Sequence, residues 1–254
     1  MLLVIDIGNT NISCGLFNSR KLIKVWKILT SDFLFRRRIV LGKFKKIKQK
    51  NIEAIIICSV VPEVTEKLNF MLKKIFFVRP VIVGKDLKIP IRNLYKNPRQ
   101  VGQDRLVGAY SGYKLYGCPL IIVDFGTTIT FDVVSRNKKY LGGIILPGIE
   151  MSLESLFNKT ALLPKVKLNK IPQSLIGRDT VNSILSGIFF GFGSLCEGLI
   201  QKIKNKIGGC KVVATGGYAR IMSKYCKCID RIDDELTLKG LATIYNKEHK
   251  NKHK

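Results

Sequence analysis

The sequence predicts an α/β protein made of two related halves, each a mixed sheet flanked by helices, and three observations carry that prediction. The run LLVIDIGNTNISCGLF from Leu2 is nearly repeated as LIIVDFGTTITFDVV from Leu120, each an apolar run that ends in Asp-x-Gly-(Asn/Thr)-Thr and then resumes. The two aspartates, Asp6 and Asp124, lie 118 positions apart, about half the chain. With 254 residues, 46% of them hydrophobic and 24% charged, the chain is globular and long enough for two domains, expected over 1–117 and 118–254.

In the first half, strands are expected over Leu2 to Asp6, Ile12 to Phe17 and Leu22 to Leu29, because aliphatic runs broken by Gly and short polar residues read as strand, tight turn, strand. Ser31 and Asp32 are placed to cap a following helix. Ala54 to Val60 is wholly apolar up to its polar Ser59, as in a strand buried on both faces. Pro62 opens a helix to about Phe76, with Glu63 and Glu66 near its positive end, and Pro80 to Val83 is a short strand. That order is the order of a ribonuclease-H-like half. The stretch Lys88 to Gln100 reads as loop. After it, apolar positions 101, 106, 107, 110 and 113 mark a helix with Asp104 and Arg105 near its start. Unpaired N–H groups and the helix dipole anchor a carboxylate there, and a plain first-turn acid reads the same way.

The second half repeats the meander over Leu120 to Asp124, Thr128 to Val134 and Tyr140 to Leu146. Gly142, Gly143 and Gly148 surround Pro147 ahead of a helix carrying Glu150 and Glu154. A polar linker over 160–177 leads to Arg178-Asp179-Thr180 and a long apolar helix from about Val181 to Lys204, where Gly187 and Gly191 permit close packing against a neighbour. Lys211 to Ala214 is a strand ending in Thr215-Gly216-Gly217, a third turn of the phosphate or nucleoside type, or a routine strand-to-helix connection. An amphipathic helix with Leu236, Leu238, Leu241 and Ile244 closes the chain.

A carboxylate at the end of a buried strand is costly unless it is paired, hydrogen-bonded or bound to metal, so finding it twice at the same place argues for a site. Each hairpin is expected to bring one carboxylate and a row of backbone N–H and hydroxyl donors to a shared cleft. Polyphosphate needs that chemistry, since glycine admits phosphate oxygens to the backbone and the carboxylate holds a cation. The only histidines are His249 and His253 in a Lys-rich tail over 247–254, which removes Ser–His–Asp, Cys–His and HExxH chemistries. Any general base is therefore expected to be a carboxylate.

Seven cysteines, mostly within apolar runs, fit reduced thiols used as small hydrophobes, and Cys226-x-Cys228 has no second pair or nearby His for a zinc site. The net charge of +26 is spread along the chain without interleaved aromatics, and the run Arg36 to Lys50 reads as a solvated helix face. No specific nucleic-acid partner is expected. Asp6 interrupts the only apolar stretch near the amino terminus, and the longest apolar run, Ile184 to Cys196, is too short to span a bilayer comfortably. A soluble cytoplasmic protein with no membrane partner is the expectation.

Six segments in register carry a resemblance: DIGNT at 6–10, GQDR at 102–105, DFGTT at 124–128, GGIILPG at 142–148, ATGGYA at 214–219 and LTLKGLATIY at 236–245. Together they resemble type III pantothenate kinase, over nearly the whole chain. The resemblance implies a two-domain fold of the acetate kinase, sugar kinase, Hsp70 and actin superfamily, usually homodimeric. It implies ATP-dependent phosphorylation of the primary hydroxyl of pantothenate to 4'-phosphopantothenate, the first step toward coenzyme A, with Mg²⁺ and a monovalent cation, K⁺ or NH₄⁺. Carried over by position, it places the nucleotide loop on Asp6, Ile7, Gly8, Asn9, Thr10, Asn11, Ile12 and Ser13, with Asp6 serving magnesium. The general base falls on Asp104 and the substrate contacts on Gly102, Gln103, Asp104 and Arg105, joined by Tyr95 and Thr180. Asp124 becomes the potassium ligand and Thr127 an ATP contact. Two departures concern the nucleotide pocket: Ile129 stands where the family has a small or polar residue, and Tyr218 where it commonly has Leu. A related small-molecule kinase of the same superfamily, or a regulator that kept the fold and binds nucleic acid, are the competing readings.

Overall fold

The computed structural model describes residues 1–47, 50–168 and 170–252. Of the tail expected over 247–254, residues 253 and 254, His253 among them, lie outside the described residues. The chain divides into two compact units, Met1–Lys114 with Glu235–Lys254, and Leu115–Asp234.

In the first unit β1 (Leu2–Ile7), β2 (Asn11–Asn18) and β3 (Lys21–Leu29) form the expected meander, followed by α1 (Thr30–Phe35), α2 (Arg37–Lys45), β4 (Ala54–Ser59), α3 (Pro62–Phe76), β5 (Val81–Ile82), β6 (Arg92–Asn93) and α4 (Gln103–Tyr116). The sheet order is β3-β2-β1-β4-β5, with β1 antiparallel to β2 and parallel to β4. Alternation along β1 sends Leu3, Ile5 and Ile7 into a core closed by α1, α2 and α3. Leu2, Val4 and Asp6 share the opposite face, where Val107 and Tyr110 of α4 pack.

The cap expected from Ser31 and Asp32 is not made. The helix starts one residue earlier, at Thr30, with no side-chain cap, because the Thr30 hydroxyl donates to Gly8 O at 2.8 Å and ties α1 to the first turn. Nor is the basic run from Arg36 only a solvated face: Val40 and Phe44 of α2 are fully buried.

In the second unit β7 (Leu120–Phe125), β8 (Thr128–Val134) and β9 (Lys139–Pro147) repeat the meander. They are followed by α5 (Ile149–Lys159), α6 (Thr180–Ser186), a π-helical turn over Gly187–Gly191, α7 (Phe192–Ile207), β10 (Lys211–Thr215), α8 (Ala219–Met222) and β11 (Arg231–Ile232). The order β11-β10-β7-β8-β9 mirrors the first sheet strand for strand, and β7 has the same burial pattern as β1, five buried positions interrupted by a half-buried Asp. The duplication read from the two hairpins is thus a duplication of topology.

The last helix, α9 (Leu236–Lys252), belongs to the first unit, although its place in the sequence put it with 118–254. Leu238, Leu241, Ala242 and Ile244 lie on the sheet face shared with Val4 and Cys58. Gly240 makes this possible, since a Cβ there would stand 2.7 Å from Ser111 Cβ. The helical stretch Thr180–Ile207 is long and apolar enough by length and composition to cross a membrane. Much of its apolar surface is spent inside the second unit, where Leu185, Phe189, Cys196 and Ile200 are buried. The close approach expected at Gly187 and Gly191 falls instead on Gly193, where a Cβ would stand 2.4 Å from Tyr225 O.

Candidate active site

In the first unit the site begins where β1 ends. Asp6 is half-buried, opposite Ser13 of β2 and opposite Cys58 of β4 in the ladders. The following turn is drawn tight by Gly8 N donating to Asn11 O at 2.9 Å and by Thr30 N donating to Thr10 O at 2.9 Å. Asn9 and Thr10 are exposed at its tip, with Asn11 and Ser13 half-buried. Ile7 and Ile12 are fully buried in the core, so only their backbone remains for a ligand.

The amino-terminal end of α4 supplies the second carboxylate. Arg105 N donates to Asp104 Oδ1 at 2.8 Å. Gly102 leaves room for this folded-back side chain, because a Cβ there would stand 2.4 Å from Asp104 Oδ1. Gln103 is seated against Gly84, whose φ of +85° and bare Cα accept the amide side chain. Burial pushes the Asp104 carboxyl above the usual carboxylate range, opposed by the Arg105 N–H and the Arg105 charge.

One buried group connects the two acids. The Cys58 thiol is pushed well above its usual range, first by burial and then by the negative charges of Asp6 and Asp104. Asp6 lies opposite Cys58 in the ladder, and α4, which carries Asp104, packs on the face that Cys58 shares. Sequence reading treated Cys58 only as a small hydrophobe, and no local signal marks it, since its place opposite Asp6 exists only once β1 and β4 pair. Tyr95, half-buried, lies on the loop beyond β6, where its N–H donates to Asn93 Oδ1 at 2.9 Å.

In the second unit three segments converge on Asp124. It sits at the end of β7 opposite Thr130 of β8 and Thr215 of β10. A Cβ on Gly216 would stand 2.3 Å from Asp124 Oδ1, one on Gly126 would stand 3.2 Å from it, and one on Gly148 would stand 2.0 Å from Thr127 O. Thr127 is exposed at the turn. Tyr218 N donates to Phe125 O at 3.1 Å, and the Tyr218 hydroxyl donates to the Glu150 carboxylate in the first turn of α5. The third glycine turn is thus part of the Asp124 surround. Sequence reading missed this Tyr218–Glu150 pair, and it also missed buried Asp132, which accepts from Tyr140 OH at 2.8 Å. Both join residues distant in sequence or need the sheet register to be seen.

Of the two departures, Ile129 is fully buried with Phe125 and Phe131 on the core face of the sheet, away from the Asp124 face. Thr180 opens α6 behind Asp179, which caps the helix by accepting from Asn182 N at 2.8 Å. Thr180 lines a cavity of about 740 Å³ with Pro147, Met151, Ser152, Leu163 and Ile184. Pro147 carries that cavity up to the Gly148 turn. Among the described residues no group of three or more His, Cys, Asp or Glu is placed to hold a metal ion by itself.

The donors present nonetheless fit cations that share their ligands with substrate. Magnesium is commonly held by one or two carboxylates together with water and phosphate oxygens, which Asp6 can supply. Asp124 stands among bare glycines and main-chain oxygens, a surround suited to a larger oxygen-seeking cation.

The family model described as type III pantothenate kinase matches residues 2–202. A curated relative from Syntrophobacter fumaroxidans, named type III pantothenate kinase, is 40% identical over 99% of this chain and 100% of its own length. Among solved structures, a Campylobacter jejuni protein named as a candidate Baf family transcriptional activator aligns at TM-score 0.60 and 22% identity, covering 98% of this chain and 99% of that one. The Clostridium difficile activator of 2-hydroxyisocaproyl-CoA dehydratase, solved with bound ADPNP, aligns at TM-score 0.58 and 12% identity over 100% and 97% of the two chains. At such identities the likeness shows the fold alone. The sequence matches show more: the chain belongs to the type III pantothenate kinase family.

Proposed function

We infer that this protein catalyses the ATP-dependent phosphorylation of pantothenate, the first step of coenzyme A biosynthesis. The observation that carries the mechanism is the placement of two carboxylates in one unit, Asp6 where β1 ends beside Cys58 of β4 and Asp104 in the first turn of α4, the helix that packs on the same sheet face. Phosphoryl transfer asks the protein for alignment, charge neutralisation and a proton acceptor, with little covalent chemistry of its own. Asp104 accepts the proton of the pantothenate hydroxyl as its oxygen attacks the γ-phosphorus of ATP and ADP leaves. A carboxyl raised by burial is a stronger base than an exposed one, which suits that role.

Gly102, Gln103, Tyr95 and Thr180 position pantothenate, and Arg105 receives its carboxylate. The turn from Ile7 to Ser13, with Asn9 and Thr10 exposed at its tip, and the Thr127 hydroxyl hold ATP. Asp6 would hold Mg²⁺ and Asp124 would hold K⁺ or NH₄⁺, cations that offset the phosphate charge. A coupled assay with ATP, Mg²⁺ and K⁺ tests the reading: pantothenate should be turned over in preference to sugars and small hydroxy acids. Faster turnover of a sugar would overturn the substrate. Exchange of K⁺ for Na⁺ should slow the reaction markedly, and indifference to that exchange would remove Asp124 as the monovalent site.

A cytoplasmic homodimer is the state we assign. The flank of the long helix at Gly187 and Gly191 is open, with nothing within 4 Å of a Cβ at either. Sedimentation at micromolar concentration should give twice the chain mass, and Leu substituted at both glycines should lower it to one. A monomeric parent would refute the assignment.

A further inference from the structure

A groove on the first unit uses none of the residues placed in the site. Arg38, Leu41 and Lys45 recur at one-turn and two-turn spacing along one face of α2 and meet Phe70, Met71, Lys74 and Ile75 of α3 across a cavity of about 660 Å³. The floor is apolar and the rim cationic. Phe70 is 56% exposed, and Lys74 Nζ stands 4.2 Å from the centre of its ring. No acid interrupts this arrangement on the two helices near the groove: α2 has none, and the acids of α3, Glu63 and Glu66, precede Phe70, with Glu63 paired to Lys67.

Charge and size choose the occupant. The contact with a second copy is assigned to the Gly187 and Gly191 flank, and at this cationic rim a chain of net charge +26 would meet like charge. A peptide helix is about 10–12 Å across and needs a longer trough than seven residues provide. The volume lies within the range of small-molecule sites, roughly 300–1,000 Å³. We propose that the α2–α3 groove binds a single-chain amphiphile with an anionic head, its alkyl chain on Leu41, Phe70, Met71 and Ile75 and its head held by Arg38, Lys45 and Lys74.

Isothermal titration of the full chain with decyl and dodecyl phosphate, below their micelle concentrations, tests this. Binding should saturate at one per chain and tighten about fourfold for each added methylene. The exposed double reversal Lys45→Glu with Lys74→Glu should weaken it at least tenfold. Met71→Trp, filling the groove, should also weaken it while leaving pantothenate turnover unchanged. Equal affinity for an uncharged maltoside of the same chain length, or no dependence on chain length, would overturn the proposal. Association with phosphatidylglycerol vesicles without binding of the monomeric phosphates would overturn it in favour of a membrane surface. Tighter binding of an acidic helical peptide to the same residues would do so in favour of a protein partner.

Discussion

Asp104→Asn should lower kcat by about 10²–10⁴-fold, the contribution of a positioned general base, while leaving the chain folded and at least as stable as the parent. The amide keeps the oxygen that accepts from Arg105 N, so the first turn of α4 stays closed. It removes a group that resists ionisation where it lies. The folded carboxyl titrates above its unfolded value of 3.8, so between those two values the folded state holds the proton more tightly. Stability contributed by that proton is complete below the unfolded value and is lost as pH rises through the folded one. Once ionised, the buried Asp104 is therefore a burden on the fold, which asparagine lifts. Thermal unfolding at pH 7 should give an equal or higher midpoint for the variant. The parent's kcat should climb with pH through the raised value of Asp104. More than a few per cent of residual activity would remove Asp104 as the base, and a lower midpoint would contradict its assigned environment.

The same residue shows how far the chain could be read without coordinates. Its position in the first turn of a helix follows from apolar spacing and from the Pro- and Asn-containing segment before it. The start of α3 follows equally directly, from Pro62, and the helix ends at Phe76 as expected, with Phe77 taking a left-handed conformation that its side chain does not announce. The two aspartates are legible because each breaks an apolar run that must otherwise be buried.

What sequence reasoning missed arises between segments. Cys58 acquires its place beside Asp6 only through parallel pairing of β1 with β4. The helix from Leu236 carries no mark of which sheet it will cover, and its return to the first unit rests on the fit of Gly240 against Ser111 and Val107. The cap expected from Ser31 and Asp32 failed because the helix begins one residue earlier, at Thr30, which is tied to Gly8 across the chain. Local propensity was overridden at each point by a contact with a remote residue.

The adjacent glycines at 216 and 217 give the sharpest test of the Asp124 surround, because sequence treats them alike and the structure does not. Gly216 has a φ of +94°, and a Cβ there would stand 2.3 Å from Asp124 Oδ1 and 2.6 Å from the Phe125 carbonyl group. Gly217 has neither constraint, with nothing within 4 Å of its Cβ position. An alanine at 216 pays for the left-handed backbone and for overpacking together, a loss of about 2–5 kcal/mol. An alanine at 217 should stay within about 0.5 kcal/mol of the parent. Urea unfolding should therefore separate Gly216→Ala from Gly217→Ala by a large shift in midpoint. The alanine at 216 can be accommodated only by moving the Asp124 carboxylate or the Phe125 carbonyl, so the folded fraction should also need more K⁺ for half-maximal activity. If Gly216→Ala unfolds at the parent's midpoint, the third turn does not press on β7. If it is destabilised yet retains the parent's response to K⁺, the Phe125 carbonyl has yielded in place of the Asp124 carboxylate, and the turn supports the fold without shaping the monovalent site.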